Sequence, residues 1–572
     1  MTKKYLITSA LPYANGPLHF GHMAGAILPA DVYNRHRKMQ GHETLYICGS
    51  DEHGVAIMLS AQKAGMSYQE WVDKWHKYQK DLFASYGVEF NFYGQTSSEY
   101  HKEEVIPWFN DLYEKGAIEP RASKQHKCQD CSNYLPDRFV EGTCYVCKYE
   151  HARGDECPDC GTWIEAVKLI DPVCKICDSK NLSIEEVTQY YLKLSKYHTE
   201  YRKWFETKKG SWRKTVVPFV DALSKEELVD RAITRDLDWG IDVPLAEAKG
   251  KKLYVWFDAP IGYVSNTKEY FKQINSTEHY LDDWWKSDDV VISHFLGKDN
   301  IIFHAITFPT MCMVTGFANL VDDLPANQFL NLQGRQFSKS QGWYVDAEEA
   351  LTEFGVDALR YYLIGLIPEN QDTNFIWKQF ATKVNNELAN NVGNMVNRCL
   401  KFGEKKWPSG IEADRFSPFF ASDIKREIES EIKELNALLD KIQIKKALEK
   451  LMHIGSMINI YFTEKAPWAQ FKANPDQALE TIASSTLLVT TLAVLFKPFL
   501  PNMSSRILGF FEAELDAETE RKVYLGDLDA LRVFIKGGFK LGKPPEVLVP
   551  KIDMDVIAEK ESALEALSSN NQ

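Results

Sequence analysis

The sequence predicts an α/β protein: a parallel-sheet domain split by a cysteine-rich insertion and followed by an all-helical domain. Three observations predict it. Strand and helix patterns alternate from Lys3 to about residue 117, four CxxC pairs crowd residues 128–177, and from about Asp346 to residue 535 nearly everything has helical period. At 572 residues the chain is too long for one core, and roughly three to five domains are expected.

Taken in order, KKYLITSAL is a short strand, and the turn YANGP leads into a helix from about His19 to Gln40 that Gly41 stops. ETLYICGSD is a second apolar, β-branched strand. GVAIMLSAQKAG is a helix ending at Gly65, and WVDKWHKYQKDLFASYG is an amphipathic one. That order reads as parallel βαβ with right-handed crossovers, the Rossmann type, whose ligands bind beyond the carboxyl ends of the strands. The PYANGP and GSDEHG turns fall there and are candidate site walls. The pattern breaks near residue 118, and up to about 225 short strands such as LPDRFVEGTC mark an inserted domain. KKLYVWFDAP and DVVISHFLGKDNIIFHAITFP restore buried strands followed by helix, and QFLNLQGRQFSKSQG adds a strand and a polar loop. The expected division is 1–117 and 226–345 for the two halves of the sheet domain and 118–225 for the insertion. Connecting helices then take 346–382, a helical bundle 383–540 and a tail 541–572, with ALSSNNQ disordered.

Composition narrows the partners. Hydrophobic residues make up 44% and charged ones 26%, ordinary for a soluble globular protein. The net charge of -13 excludes whole-molecule attraction to nucleic acid, so such binding needs a local basic surface. The apolar run after Lys4 is short and stopped by Pro12, so no signal peptide is read. TLLVTTLAVLFKPFL from Thr486 is too short and threonine-rich to span a bilayer and is expected to be a core helix. A cytoplasmic location with no membrane partner is expected.

Eleven cysteines in such a chain argue for metal rather than disulfides. CYVCKYEHARGDECPDC brings Cys144, Cys147, Cys157 and Cys160 to the spacing of a four-thiolate zinc site. The flanking pairs Cys128/Cys131 and Cys174/Cys177 can meet as a second. Four thiolates leave no open coordination position, so both sites are expected to be structural. Cys48, Cys312 and Cys399 stand alone and are expected to be inert. HFGH sets His19 and His22 in the first turn of a helix, beside the unpaired amides and positive dipole end that hold phosphate. Lys339, between two serines of GRQFSKSQG, suits a triphosphate but equally an ordinary surface loop. Trp256, Ala259, Pro260 and Tyr263 of KKLYVWFDAPIGY are core in a buried strand and an aromatic wall at a strand's carboxyl end.

Together LPYANGPLHFGH, the four-knuckle insert, YVWFDAPIGY, FLGKDNIIFH, QFSKS and APW resemble the methionyl-tRNA synthetases, a class I aminoacyl-tRNA synthetase family, in that family's order from residue 5 to about 555. The resemblance implies ATP-dependent ligation of L-methionine to tRNA(Met), initiator and elongator, through a methionyl-adenylate. It implies a zinc-knuckle insertion in a Rossmann catalytic domain and a C-terminal anticodon-binding bundle. His19 to His22 matches the HIGH signature and Phe337 to Ser340 the KMSKS signature. His19, His22 and Lys339 are then catalytic, with Mg²⁺ assisting. Gly21, Arg235, Asp299, Ser338 and Ser340 join them at ATP. The methionine pocket carries over as Leu11, Tyr13, Asp51, Trp256, Ala259, Pro260, Tyr263 and His304, with Asp51 the partner of the substrate ammonium. Asn394, Arg398 and Trp468 match the anticodon readers, Trp468 being the alternative of a core residue. Two departures stand out: Gln336, after Arg335, replaces the first lysine of KMSKS, and Asn300 replaces an aliphatic pocket residue. A zinc-dependent RNA-binding protein leaves HFGH, Asp51 and FSKS without purpose. A sister class I synthetase for leucine, isoleucine, valine or cysteine is the other alternative; those for large aliphatic residues call for a longer editing insertion than the roughly 110 residues here. The chain stops soon after PKIDMDVIAEK, and a monomer is expected.

Overall fold

The computed structural model describes residues 2–136, 139–154, 157, 159–160, 164–338, 342–543 and 545–570. Its central sheet is five-stranded and parallel: β1 (Lys4–Ser9), β2 (Glu43–Ser50), β3 (Phe92–Gln95), β4 (Val290–Gly297) and β5 (Ala326–Asn327), in the order β5-β4-β1-β2-β3. The strand order reverses at β1, which leaves a crevice between the carboxyl ends of β1 and β4. Alternation along the strands separates two cores. Tyr5, Ile7, Tyr46 and Cys48 face the C-terminal helices, and Leu6, Leu45, Ile47 and Ile292 face the other side. The second core includes Tyr201, Phe205 and Val220, from helices His198–Lys208 and Val217–Ser224 at the end of the insertion.

The helix after β1 starts at Phe20, with His19 as its N-cap, and passes through a π segment, Met23–Ile27, into the regular helix Leu28–Met39. The insertion is built on a long antiparallel pair, Ile118–Cys128 with Leu182–Leu192, in register over its full length. Helix Pro475–Phe496 holds the expected core segment, and all residues from Thr481 to Phe496 are buried. Cys48, Cys312 and Cys399 are buried free thiols.

Three expectations need correcting. The run YVWF is not strand: the strand Lys251–Leu253 ends early, and Val255–Asp258 is one helical turn that runs into helix Ile261–Gln273. Pro260 has no N–H to give a sheet and caps the next helix, so the aromatic, β-branched composition loses to the backbone. The connecting helices contain a strand, Thr373–Phe375, paired parallel with Leu330–Leu332, so the hairpin carrying FSKS is one part of a three-stranded sheet. ALSSNNQ is not disordered throughout: helix Met554–Asn570 covers all but the last two residues. Its Ile557 and Leu564 enter the first core, Lys560 pairs with Glu353 at 2.7 Å, and Glu561 accepts from the carboxamide of Gln333 at 3.1 Å.

The connecting helices and the bundle together clasp the helix Leu28–Met39. Buried Arg360 donates to Asp31 (2.7 Å) and to the carbonyls of Tyr86 (2.9 Å) and Phe499 (2.8 Å), while Arg35 donates to the same Asp31. Burial alone would raise the Asp31 pKa; Arg35 and Arg360 outweigh it and hold the carboxylate ionised. At the helix's far end Asp440 accepts from Arg37 at 2.6 Å and pairs with His36 at 3.0 Å. Removing one partner of a buried pair strands the other charge. Arg360→Ala is expected to cost about 3–5 kcal/mol, read as a lower denaturation midpoint. Arg426→Ala, which breaks an exposed pair with Asp423, should stay within about 0.5 kcal/mol.

Candidate active site and metal centres

Backbone hydrogen bonds place the two turns that border the crevice. Ala10 N–H donates to Phe295 C=O (2.8 Å), Ala14 N–H to Asp51 C=O (2.8 Å) and Asp51 N–H to Pro12 C=O (2.9 Å). The PYANGP and GSDEHG turns are thus one bridged wall beyond β1 and β2.

HFGH is a reciprocal helix cap made of imidazoles. His19 Nδ1 accepts from Gly21 N–H (3.1 Å), and His22 Nδ1 accepts from His19 N–H (3.2 Å). His19 Nδ1, as an acceptor, leaves its ring proton to Nε2, while His22 Nδ1 also lies 3.3 Å from the His19 C=O. The ring centroids are 4.0 Å apart. Gly21 is required here by space: a Cβ would lie 2.9 Å from the His19 ring. Phe337 stacks flat on His19, centroids 4.6 Å apart and planes 5° from parallel, so the FSKS hairpin closes over the cap. Ser338 and Trp343 exchange backbone hydrogen bonds across the hairpin (2.8 and 2.9 Å), and the Arg335 guanidinium lies 4.6 Å above the Trp343 ring. Lys339 and Ser340 lie outside the described residues.

A small cavity opens at the carboxyl ends of β1, β2 and β4. Leu11, Asp51, Trp256, Ala259, Pro260, Tyr263 and His304 all line it, together with Ala10 and Asn300, and its free volume is about 10 Å³. That holds about one water. Tyr13 stands at its edge, 36% exposed and edge-on to Trp256 with ring centroids 6.3 Å apart. His304 Nδ1 donates to Asn300 C=O (3.1 Å), which leaves Nε2 to accept from Tyr263 O–H (2.8 Å). Burial pushes the His304 pKa down to about 4, so this ring is neutral.

Asp51 is buried, and one of its carboxylate oxygens has no hydrogen-bond partner among the described residues. Burial first and the neighbouring Asp258 carboxylate second hold its pKa well above the usual range. Asp258 resists the same burial because His53 (2.8 Å) and His101 (3.5 Å) flank it, and its pKa stays low. Two carboxylates buried side by side make a pocket that favours a cation. Residue types alone missed Phe303, whose ring stacks on Trp256 at 4.0 Å and 3°, and the His53–Asp258–His101 cluster. His53 and Asp258 adjoin the GSDEHG and WFDAP motifs; His101 carries no signal in the sequence.

Other expected residues lie further out. Asp299 follows β4 in the turn Lys298–Asn300. The Arg235 guanidinium lies 4.1 Å above the Tyr254 ring, in a second cavity behind Trp256. In the bundle Asn394 and Arg398 lie on the exposed face of helix Asn394–Lys406. The Arg398 guanidinium is 4.9 Å from the ring of Trp468, which is 39% exposed rather than core. Pro467 opens the Trp468 helix after Ala466, whose φ of +42° makes the sharp turn between helices.

The cysteines assemble as two sets of four, Cys144/Cys147/Cys157/Cys160 and Cys128/Cys131/Cys174/Cys177, each with all sulfurs within 4.8 Å of one another. Across the pairs, Sγ–Sγ separations are 3.5 and 4.0 Å in the first set and 3.5 and 3.8 Å in the second. A tetrahedron with Zn–S of about 2.3 Å has edges of about 3.8 Å, so the donors fit the ion. Ser132, Lys148 and Asp178, each just after the second cysteine of a pair, have positive φ, which turns the backbone around the thiolates.

Comparison with known proteins adds the chain-wide pattern. The family described as tRNA synthetases class I (M) matches residues 5–400, and the anticodon binding domain of methionyl tRNA ligase matches residues 420–566. The chain belongs to the methionyl-tRNA synthetase family. The methionine–tRNA ligase of Chlorobaculum tepidum is 38% identical over 578 residues, covering 99% of this chain and 81% of that one. That of Flavobacterium psychrophilum is 37% identical over 576 residues, covering 100% and 82%. The Mycobacterium tuberculosis methionyl-tRNA synthetase, solved in complex with methionyl-adenylate, shares the fold with a TM-score of 0.77 at 22% identity, covering 96% of this chain and 100% of that chain. Methionyl-tRNA synthetases are ligases that join methionine to tRNA with ATP. In this chain the two cysteine sets sit in the segment inserted between β3 and β4. Elemental analysis of the purified chain is expected to give two zinc ions per chain; a value of one would remove one site, and iron in place of zinc would overturn both.

Proposed function

We propose that the chain makes methionyl-adenylate in the crevice between β1 and β4 and passes methionine to tRNA(Met), initiator and elongator, read by its bundle. The observation that carries this reading is that the small cavity, with Asp51 in its wall, and the HFGH cap both lie on the chain that leaves the carboxyl end of β1 and its neighbours. The cavity would take the methionine side chain between Leu11, Trp256, Ala259, Pro260, Tyr263 and His304, with Tyr13 at its edge. A free volume of about 10 Å³ is far less than that side chain fills, so the aromatic walls move on binding.

Carboxylate attack on the α-phosphate needs no nucleophile from the enzyme; positioning and charge neutralisation carry the step. His19 and His22 would donate from Nε2 to the phosphates, with Gly21 letting them approach. Lys339, flanked by Ser338 and Ser340, would neutralise the departing pyrophosphate, and Arg235 and Asp299 would border the adenylate. Mg²⁺ bound with ATP would supply further charge neutralisation. With Gln336 in the hairpin strand, Arg335 is the cation left beside it, and it lies on Trp343. Zinc would hold the knuckles and take no chemical part. A monomer working in the cytoplasm suits this reading.

Methionine-dependent ATP–pyrophosphate exchange tests the first half, and no exchange would overturn it. Asp51 must ionise to meet the substrate ammonium, so methionine binding should release a proton and tighten as pH rises through the raised pKa of Asp51. In Asp51→Asn that pH dependence should vanish and affinity should fall at least thirty-fold, the loss of about 2 kcal/mol or more for one half of a buried charge pair. Calorimetry in buffers of different ionisation enthalpy measures both.

For the second half, Arg398 and Asn394 would read the edges of unpaired bases and the exposed Trp468 would stack on one. Trp468→Ala should weaken tRNA binding by about 1–3 kcal/mol and leave pyrophosphate exchange unchanged. A joint fall of charging and exchange would instead make Trp468 a structural residue.

A further inference from the structure

Two buried oxygens in the wall of the small cavity are left without a donor. Asp51 and Asn300 both line it, and Oδ1 of each is buried with no hydrogen-bond partner among the described residues. They come from opposite sides of β1: Asp51 follows β2 and Asn300 follows β4, the two strands that flank β1 in the sheet. The backbone fixes both positions. Asp51 N–H donates to Pro12 C=O (2.9 Å) and Asp51 C=O accepts from Ala14 N–H (2.8 Å). On the other side, Asn300 C=O accepts from His304 Nδ1 (3.1 Å) at the start of the segment after β4.

We propose that Asn300 is the second acceptor for the ammonium of methionine and shares its N–H donors with Asp51, an assignment that rests on the reading above. The donor inventory of the substrate decides which of its groups can meet this oxygen. The thioether and the ionised carboxylate of methionine only accept hydrogen bonds, and the ammonium alone donates, with three N–H bonds. A cavity of about 10 Å³ has room for one small group, and an ammonium is close to a water molecule in size. Away from water, each N–H that finds no acceptor keeps its desolvation cost. Asp51 supplies the opposite charge. Asn300 fills a further N–H without adding a charge, so the ion pair with Asp51 stays neutral as a unit.

The same oxygen is a liability until the substrate arrives. A buried acceptor with no partner destabilises the ligand-free fold, and folded chains keep few such atoms. An aliphatic side chain at position 300 would spare that cost and offer the ammonium nothing. The departure at this position therefore exchanges some stability of the empty chain for a contact that forms only with an amino acid in the site.

Asn300→Leu removes the acceptor at nearly constant size, and three ligands separate what it touches. Methionine carries both the ammonium and the sulfur. Norleucine keeps the ammonium and has a methylene for the sulfur, and 4-(methylthio)butanoate keeps the sulfur without the ammonium. Calorimetry should show methionine and norleucine each binding about tenfold more weakly to the variant, as for one hydrogen bond to a charged group. The affinity for 4-(methylthio)butanoate should stay within about twofold, and the melting temperature of the ligand-free variant should equal or exceed that of the parent. A loss for methionine without one for norleucine would overturn the proposal and place Asn300 against the sulfur. An equal loss for all three ligands would overturn it as well, because the shape of the wall alone would then account for the effect. Unchanged affinities would leave Asn300 no part in binding. Failure of the parent to bind methionine or to exchange pyrophosphate would overturn the underlying reading, a result distinct from these.

Discussion

An α-helix cannot satisfy its own first backbone N–H groups, and this protein sets such a turn where the strand order of its sheet reverses. The sheet makes the crevice, but the unfinished helix gives it a sign. His19 and His22 use their Nδ1 atoms to cap two of the orphan N–H groups. Gly21 follows from the same demand, because the cap ring occupies the space a side chain would need. Much of the remaining structure holds this turn still. Phe337 covers it from the hairpin, and Asp31 and Arg360 clamp the helix that runs away from it.

The same economy governs the buried charges. Asp51 and Asp258 would repel each other in an apolar wall, and burial would drive protons onto both. His53 and His101 relieve only Asp258, so the unmet demand for positive charge concentrates on Asp51. A neutral His304, fixed between Asn300 and Tyr263, adds polarity without adding charge. The wall thus sets an acidic group and a neutral polar one within one small volume.

How much of this is readable from residues alone follows from the range of the interactions. The two cysteine sets are legible because CxxC spacing is what a tetrahedral ion asks of each half-site, and only the meeting of the outer pairs needed the fold. HFGH is legible because capping is local. Seven of the eight expected pocket residues line the cavity, because their motifs fall at the carboxyl ends of strands. His101 is invisible beforehand: it reaches Asp258 from a helix far along the chain, and nothing around it in sequence marks the contact. The turn YVWF misleads because its composition favours strand while Pro260 and the backbone around it favour helix. The strand Thr373–Phe375 is hidden by its length, three residues whose partner lies in the FSKS hairpin.

The hairpin has another dependence. Its Gln333, held at a φ of +48°, reaches Glu561, 228 residues later, on the helix Met554–Asn570. Translation proceeds at about 5–20 residues per second, so a ribosome needs roughly 10–45 s to make the intervening chain. For that interval the residues of the sheet, the cap and the knuckles have been made, but not the residue that braces the hairpin. The hairpin over the HFGH cap is braced from the other end of the polypeptide, after the bundle has been made.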